Sequence, residues 1–284
     1  MTVQRISAFA DGDRGGNPAG VVIGDTLPSP DRMQAIAAEV GFSETAFAMP
    51  VPEGWRVRYF SPETEVPFCG HATIALGAAL VGREGDGVFT LQLNNDTITV
   101  EGTRKGAGIA AALQSPATKS TPAAPELGDA ALALFGYARE DLDPRIPAAI
   151  AEAGATHLVI GLNNREALRR MSYDLDDGRI FMREAGLVTI SLVYAETEKL
   201  FHVRNPFASG GVLEDPATGA AAAALGGYLR DLNWPGVAGS GGEISIVQGE
   251  DMGMRSLLTV DIPAEPGTSI RVSGAARVMG EDEG

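Results

Sequence analysis

The chain has 284 residues, 44% of them hydrophobic, with 36 glycines and a formal net charge of −15. At the usual ~100–200 residues per domain this length suggests two lobes. The charge argues against nucleic acid, whose phosphates nothing here would neutralise, and against an anionic membrane surface; the single cysteine rules out an intrachain disulfide and a cysteine-based structural zinc site.

The first ten residues lack the apolar core of a secretory signal. No apolar run approaches the ~20 residues needed to span a bilayer, so a soluble cytoplasmic protein is expected. Strands are predicted over residues 3–9 and 19–23. Between them Asp11-Gly12-Asp13-Arg14-Gly15-Gly16-Asn17-Pro18 is rich in residues that tolerate unusual backbone angles. Ser29-Pro30 reads as an N-cap with a first-turn proline, Met33, Ile36, Ala37 and Val40 recur at helical spacing, and Gly41 stops the helix. Residues 42–49 then read as a strand in which Glu44 is the only charged side chain. It could point to water, as most glutamates do, or into a cleft where burial would tune it as an acid/base.

A strand over 55–60 feeds the stretch around which the chain is organised, residues 60–80. Two prolines and two carboxylates pass through Cys69-Gly70-His71 into an Ala/Leu-rich helix with no breaker until Gly82. Such a helix start leaves backbone N–H groups pointing at the loop mouth, a site for an anion such as a carboxylate. His71 adds a group that can donate, accept or carry a proton near neutral pH. A buried junction with a merely satisfied histidine is the competing interpretation.

Strands over 88–93 and 97–101 flank Asn94-Asn95-Asp96 as a hairpin, and 108–113 adds another. Residues 114–125 carry three prolines and no periodicity, so they are taken as the connection between lobes. The expected boundaries are an N-terminal lobe over 1–116, joined by a last strand at about 270–280, a linker over 117–125, and a C-terminal lobe over 126–269. In that lobe the pattern predicts helices over 126–135, 164–171 and 220–229. Strands are predicted over 156–162, 187–195, 200–203, 244–247, 257–262 and 269–272, and the tail 280–284 is expected to fray.

The halves echo each other loosely. Val57-Arg58, an acidic loop with proline, Gly70-His71-Ala72-Thr73 and an Ala/Leu helix are matched by Val203-Arg204, a similar loop, Ala217-Thr218-Gly219-Ala220 and a second such helix. Two helix starts facing one central cleft would both offer donors to a carboxylate or an enolate-like intermediate. His157 and His202 lie in strand-like runs with no polar constellation nearby in sequence. No paired ligand spacing indicates a metal, and Gly15-Gly16 makes no dinucleotide fingerprint. Cys69 could be activated at a helix start, although the ordinary behaviour of a free cysteine favours a small buried thiol. Asp215, before Pro216, reads either as a cap or as a carboxylate holding a substrate amine or the histidine.

Six motifs, Gly15-Gly16-Asn17-Pro18-Ala19-Gly20-Val21-Val22, Ser43-Glu44-Thr45-Ala46-Phe47, Phe60-Ser61-Pro62, Cys69-Gly70-His71-Ala72-Thr73, Glu214-Asp215-Pro216-Ala217-Thr218-Gly219 and Gln248-Gly249-Glu250-Asp251-Met252-Gly253, stand in this order over nearly the whole chain. Together they resemble the phenazine-biosynthesis, PhzF-like isomerase/epimerase family. The resemblance implies an α+β fold of diaminopimelate-epimerase type, with two similar lobes, each a curved mixed sheet around a central helix. It implies a cofactor-free site in the inter-lobe cleft, a small carboxylate-bearing substrate and a homodimer. It puts the acid/base on Glu44, the cleft histidine on His71 and its acidic partner on Asp215. Substrate would be bound by Asn17, Gly70, Thr218, Gly219 and Ala220. Ala220 stands where many relatives carry serine, which removes a hydroxyl donor, and Met252-Gly253-Met254-Arg255-Ser256 departs from the usual Gly-Arg-Pro-Ser. An isomerase moving a proton on an amino or cyclic acid is therefore the leading expectation. An epimerase or racemase of the same fold, or a non-catalytic carboxylate-binding protein, are the alternatives.

Overall fold

The computed structural model describes residues 2–106 and 108–280. The tail expected to fray therefore lies, past Gly280, outside the described residues. The first part of the chain forms β1 (Gln4–Ala8), β2 (Asn17–Ile23), α1 (Pro30–Val40), β3 (Thr45–Val51), β4 (Gly54–Phe60), β5 (Glu65–Val66), α2 (Gly70–Glu84), β6 (Gly87–Gln92), β7 (Thr97–Lys105) and β8 (Gly108–Ala117). The remainder forms β9 (Lys119–Pro122), α3 (Pro125–Phe135), β10 (Ala149–Glu152), β11 (Thr156–Leu162), α4 (Arg165–Arg169), α5 (Leu175–Glu184), β12 (Thr189–Ala195), β13 (Leu200–Arg204), β14 (Pro206–Phe207), β15 (Val212–Glu214), α6 (Gly219–Asp231), β16 (Gly242–Gln248), β17 (Ser256–Ile262) and β18 (Ser269–Val278). Two compact units result: residues up to Gln114 with those from Ser273 on, and Ser115–Val272. Among the described residues no helix is long and apolar enough to cross a membrane.

In the first unit the strands follow the order β1-β2-β3-β4-β6-β7-β8-β18, and β18 pairs back onto β1 at Ile6↔Val278. The sheet thus closes on itself around α2. That helix is buried from His71 to Val81 on every side, as a helix apolar all round must be. Its small residues set how near it lies to the sheet. A Cβ on Gly77 would sit 2.6 Å from Val100 Cγ2, and one on Gly102 would sit 2.3 Å from Val81 Cγ2. Outside the ring, α1 lays Met33, Ile36 and Ala37 against Val22, Phe47 and Phe60, with Ser29 capping it and Gly41 ending it at φ 74°.

The second unit follows β18-β17-β16-β13-β12-β11-β10-β9, with β11–β12 and β13–β16 parallel. Helix α6 packs on β9, β10, β11 and β17 and again approaches through glycine. A Cβ on Gly226 would lie 2.9 Å from Val260 Cγ1, and one on Gly227 would lie 2.6 Å from Thr118 Cβ. The other sheet face carries α3, α4 and α5 over Leu158, Ile160, Leu162, Ile190 and Leu192. Residues 119–122, inside the stretch read as a connection, pair with β10 as the last strand of the order. An edge strand tolerates the prolines there because one side of it needs no donors.

His157 occupies the opposite face of β11. It is fully buried, with Nδ1 2.7 Å from Thr189 Oγ1 on the neighbouring parallel strand and Nε2 without a hydrogen-bond partner among the described residues. Burial pushes its pKa down to about 4. The unfolded chain, with an ordinary histidine near ~6.5, therefore binds the extra proton between these values. The histidine's contribution is fully present above pH ~6.5 and is lost as pH falls towards about 4, an amount on the order of 3 kcal/mol. His157→Leu is expected to flatten that part of the stability profile, read as urea midpoints at pH 7 and pH 4.5. An unchanged drop in the variant would show that other groups carry it.

Candidate active site

Glu44 ends the connection from α1 to β3. Its carbonyl accepts the Gly20 N–H at 3.1 Å, where parallel β2 and β3 begin to pair. Gly20 is needed there, because a Cβ would stand 2.6 Å from Thr45 Oγ1. With its backbone held in this way, the Glu44 side chain is 15% exposed and brings Oε2 to 3.4 Å from His71 Nε2. Ser43 Oγ lies 3.3 Å from the same nitrogen, and Cys69 Sγ lies 3.4 Å from Nδ1. The imidazole is thus bracketed by a carboxylate, a hydroxyl and a thiol.

His71 sits in the first turn of α2, whose N-cap is Cys69 with extended backbone and no side-chain cap. The N–H groups of Gly70, His71 and Ala72 consequently have no acceptor within the helix. With the positive end of the dipole they suit an anion. The start is anchored from behind. Thr73 donates both its N–H (3.0 Å) and its hydroxyl (2.7 Å) to the Cys69 carbonyl. With that hydrogen committed, Tyr59 must be the donor to Thr73 Oγ1 at 2.7 Å. Tyr59 is fully buried, and burial holds its pKa well above the usual tyrosine range, so it stays a donor. Of the two carboxylates in the preceding loop, Glu65 is committed elsewhere. It is clamped by Arg58 at 2.5 and 2.7 Å, and this pairing keeps its pKa below the ordinary value.

In the second unit Asp215, Thr218, Gly219 and Ala220 form a second helix start. Helix α6 begins at Gly219, beyond Pro216, and its N-cap Thr218 supplies no side-chain cap. Asp215 is therefore not the cap of a proline-started helix. Its carboxylate accepts the Thr218 hydroxyl, and its N–H donates to the Asn205 carbonyl at 3.0 Å. Gln248 ties the loop together. Its Nε2 donates to the Asp215 carbonyl (2.7 Å) and to Thr218 Oγ1 (3.0 Å), while its Oε1 accepts the Thr218 N–H (3.3 Å). Gly249, at φ 70°, leaves room for Pro216, whose carbonyl oxygen a Cβ would approach to 2.8 Å. Ala220 is half-buried in the first turn.

The structure thus assembles two groups of predicted residues, Glu44 with His71 beside Gly70, and Asp215 with Thr218 beside Gly219. Asn17 is buried at the start of β2, opposite Ala8 on β1. Ser43, Tyr59, Thr73 and Gln248 were missed as supports. Ser43, Thr73 and Gln248 stand inside the motifs themselves, which was the available signal. His202 needs correction, since a polar constellation does surround it. Nε2 is 2.6 Å from Glu196 and Nδ1 is 3.4 Å from Glu250, which also pairs with Arg165. These partners come from a neighbouring turn and a distant loop, so spacing in sequence hides them.

The chain is 32% identical over 280 residues to an uncharacterised isomerase of Mesorhizobium japonicum, covering 92% of this chain and 91% of that one. Its fold matches a phenazine biosynthesis protein of the PhzF family from Bacillus anthracis at a TM-score of 0.86 and 24% identity, covering 99% and 98% of the two chains. A predicted epimerase of Pseudomonas aeruginosa matches at 0.81 and 26% identity, covering 98% and 96%. The mixed α+β fold of diaminopimelate-epimerase type expected from sequence is the fold observed. The phenazine biosynthesis-like family model matches residues 6–281, and the chain belongs to that PhzC-PhzF family.

Proposed function

We propose that this member of an isomerase family works without a cofactor and moves a proton on a small carboxylate-bearing acid, amino or cyclic, with Glu44 as general acid/base. The observation that carries the reading is the Glu44 carboxylate 3.4 Å from His71 at the uncapped start of α2. In this reading the N–H groups at Gly70 hold the substrate carboxylate and His71 orients the reacting portion. Glu44 takes a proton from one carbon and returns it to another. The electron pair left behind is delocalised as an enolate-like species, which the helix dipole stabilises. Asp215, Thr218, Gly219, Ala220 and Asn17 are read as further substrate-binding elements, and a cytoplasmic homodimer belongs to the same reading.

An epimerase is the second reading. It is favoured by Cys69 Sγ at 3.4 Å from His71 Nδ1, which offers a second base, and by the likeness to the predicted epimerase. One experiment separates the possibilities: carboxylate metabolites incubated with the enzyme in heavy water and followed by NMR. Deuterium at carbon in a positional isomer supports the isomerase, and deuterium in both stereoisomers of one acid supports the epimerase. Binding without exchange into any compound would reject catalysis and leave a carboxylate-binding protein.

A further inference from the structure

Glu44, Cys69 and His71 each present one donor atom, and these atoms all lie within 4.8 Å of one another. We propose that they bind one divalent cation of the zinc class, with a fourth position open to water or to a carboxylate. Bonds of about 2.0–2.3 Å in a tetrahedral zinc site place donors roughly 3.3–3.6 Å apart. Here His71 Nε2 is 3.4 Å from Glu44 Oε2, whereas Cys69 Sγ is nearer Nδ1 (3.4 Å) than Nε2 (3.9 Å), so a turn of the imidazole and of the thiol is needed to aim all three donors at one point.

The donors suit the cation in kind as well as distance. A thiolate and an imidazole select zinc-class ions over magnesium and calcium, which require oxygen. An ionised thiol and a carboxylate together offset the double positive charge. The helix start opposes a bare cation but favours the thiolate beside it. Its N–H groups also favour an anion in the fourth position. The backbone that carries each ligand is fixed, Cys69 through Thr73, His71 by the packed helix and Glu44 through Gly20, which leaves the three side chains to turn onto the cation. The ligands come from two elements far apart in sequence, so a search for short ligand spacings passes over them.

A cation held there occupies the carboxylate assigned to proton transfer, so zinc would inhibit turnover. That consequence rests on the isomerase reading, whereas binding does not, and the two fail separately. The test strips the full chain of metal with a chelator, then titrates zinc chloride against a chromogenic chelator and, separately, adds cobalt chloride. One equivalent of zinc and a near-ultraviolet thiolate-to-cobalt band are expected. The band reports Cys69 alone, since the chain has one cysteine. Cys69→Ser should remove the band and weaken zinc binding by more than the roughly 10–100-fold that loss of a group merely supporting a ligand costs. Glu44→Gln should weaken binding while keeping the band, and this shape-conserving variant serves if Cys69→Ser does not fold. His202→Ala should change neither. Absence of the band from the unaltered protein, or loss of the zinc equivalent in His202→Ala with retention in Cys69→Ser, overturns the proposal.

Discussion

Glu44→Gln is expected to lower kcat by on the order of 10²–10⁴, the range that a positioned general acid/base contributes, with little change in substrate affinity or folding. Glutamine keeps the length of the side chain and an oxygen to face His71 Nε2, now 3.4 Å from the carboxylate. It cannot ionise, so it cannot accept a proton from carbon. The Gly20–Glu44 backbone bond that positions the residue is untouched. The same substitution should stop deuterium uptake into a bound acid in heavy water, while saturation-transfer NMR still reports binding. Full activity in the variant would sink the assignment of Glu44. Loss of binding together with activity would instead make it a substrate ligand.

Where local chemistry decides an element, the sequence was sufficient. Ser29, Met33, Ile36 and Gly41 mark α1 to the residue, and the Ser29 side chain does cap it. Helix α5 was overlooked although Asp174 caps it and Asp176 and Asp177 stand in its first turn, because it carries a glycine and buries only Gly178 and Met182. Gly178 is small for a reason no periodicity reveals, since a Cβ would collide with the Tyr173 ring at 2.3 Å. The proline-rich 114–125 stretch hid β9, because pairing at a sheet edge depends on a partner strand some 30 residues on in sequence. At the candidate site, the helix start at His71 was readable from its glycine and small residues. Glu44 was singled out by its apolar surroundings, which left water or an acid/base role in a cleft both open, and family resemblance chose between them. Its contact with His71 arises because the β2–β3 pairing sets Glu44 beside the helix, a tertiary fact. The Cys69–His71 contact likewise turns a thiol judged inert from sequence into part of the site.

Arg204→Met is expected to destabilise the protein by about 3–5 kcal/mol, because it leaves Glu214 buried without its counter-charge. The guanidinium Nε reaches both Glu214 oxygens at 3.1 Å, and Nη2 reaches Oε2 at 2.5 Å. The two side chains are only 12% and 4% exposed, so solvent screens the pair little. Nη1 also donates to the Arg169 carbonyl at 3.0 Å. Glu214 closes the β14–β15 pairing opposite Pro206 and is followed by Asp215, so the pair fixes the approach to the second helix start. Against a typical stability of about 5–15 kcal/mol, such a loss should lower the urea midpoint sharply. Arg204→Met combined with Glu214→Leu removes both charges, and burying apolar groups in place of a buried pair is often neutral. The double variant should recover most of the loss, short of about 1 kcal/mol for the abandoned carbonyl. A single variant costing under about 1 kcal/mol would class the pair with exposed ion pairs. A double variant no better than the single one would show that packing of the arginine stem, and not the stranded carboxylate, carries the effect.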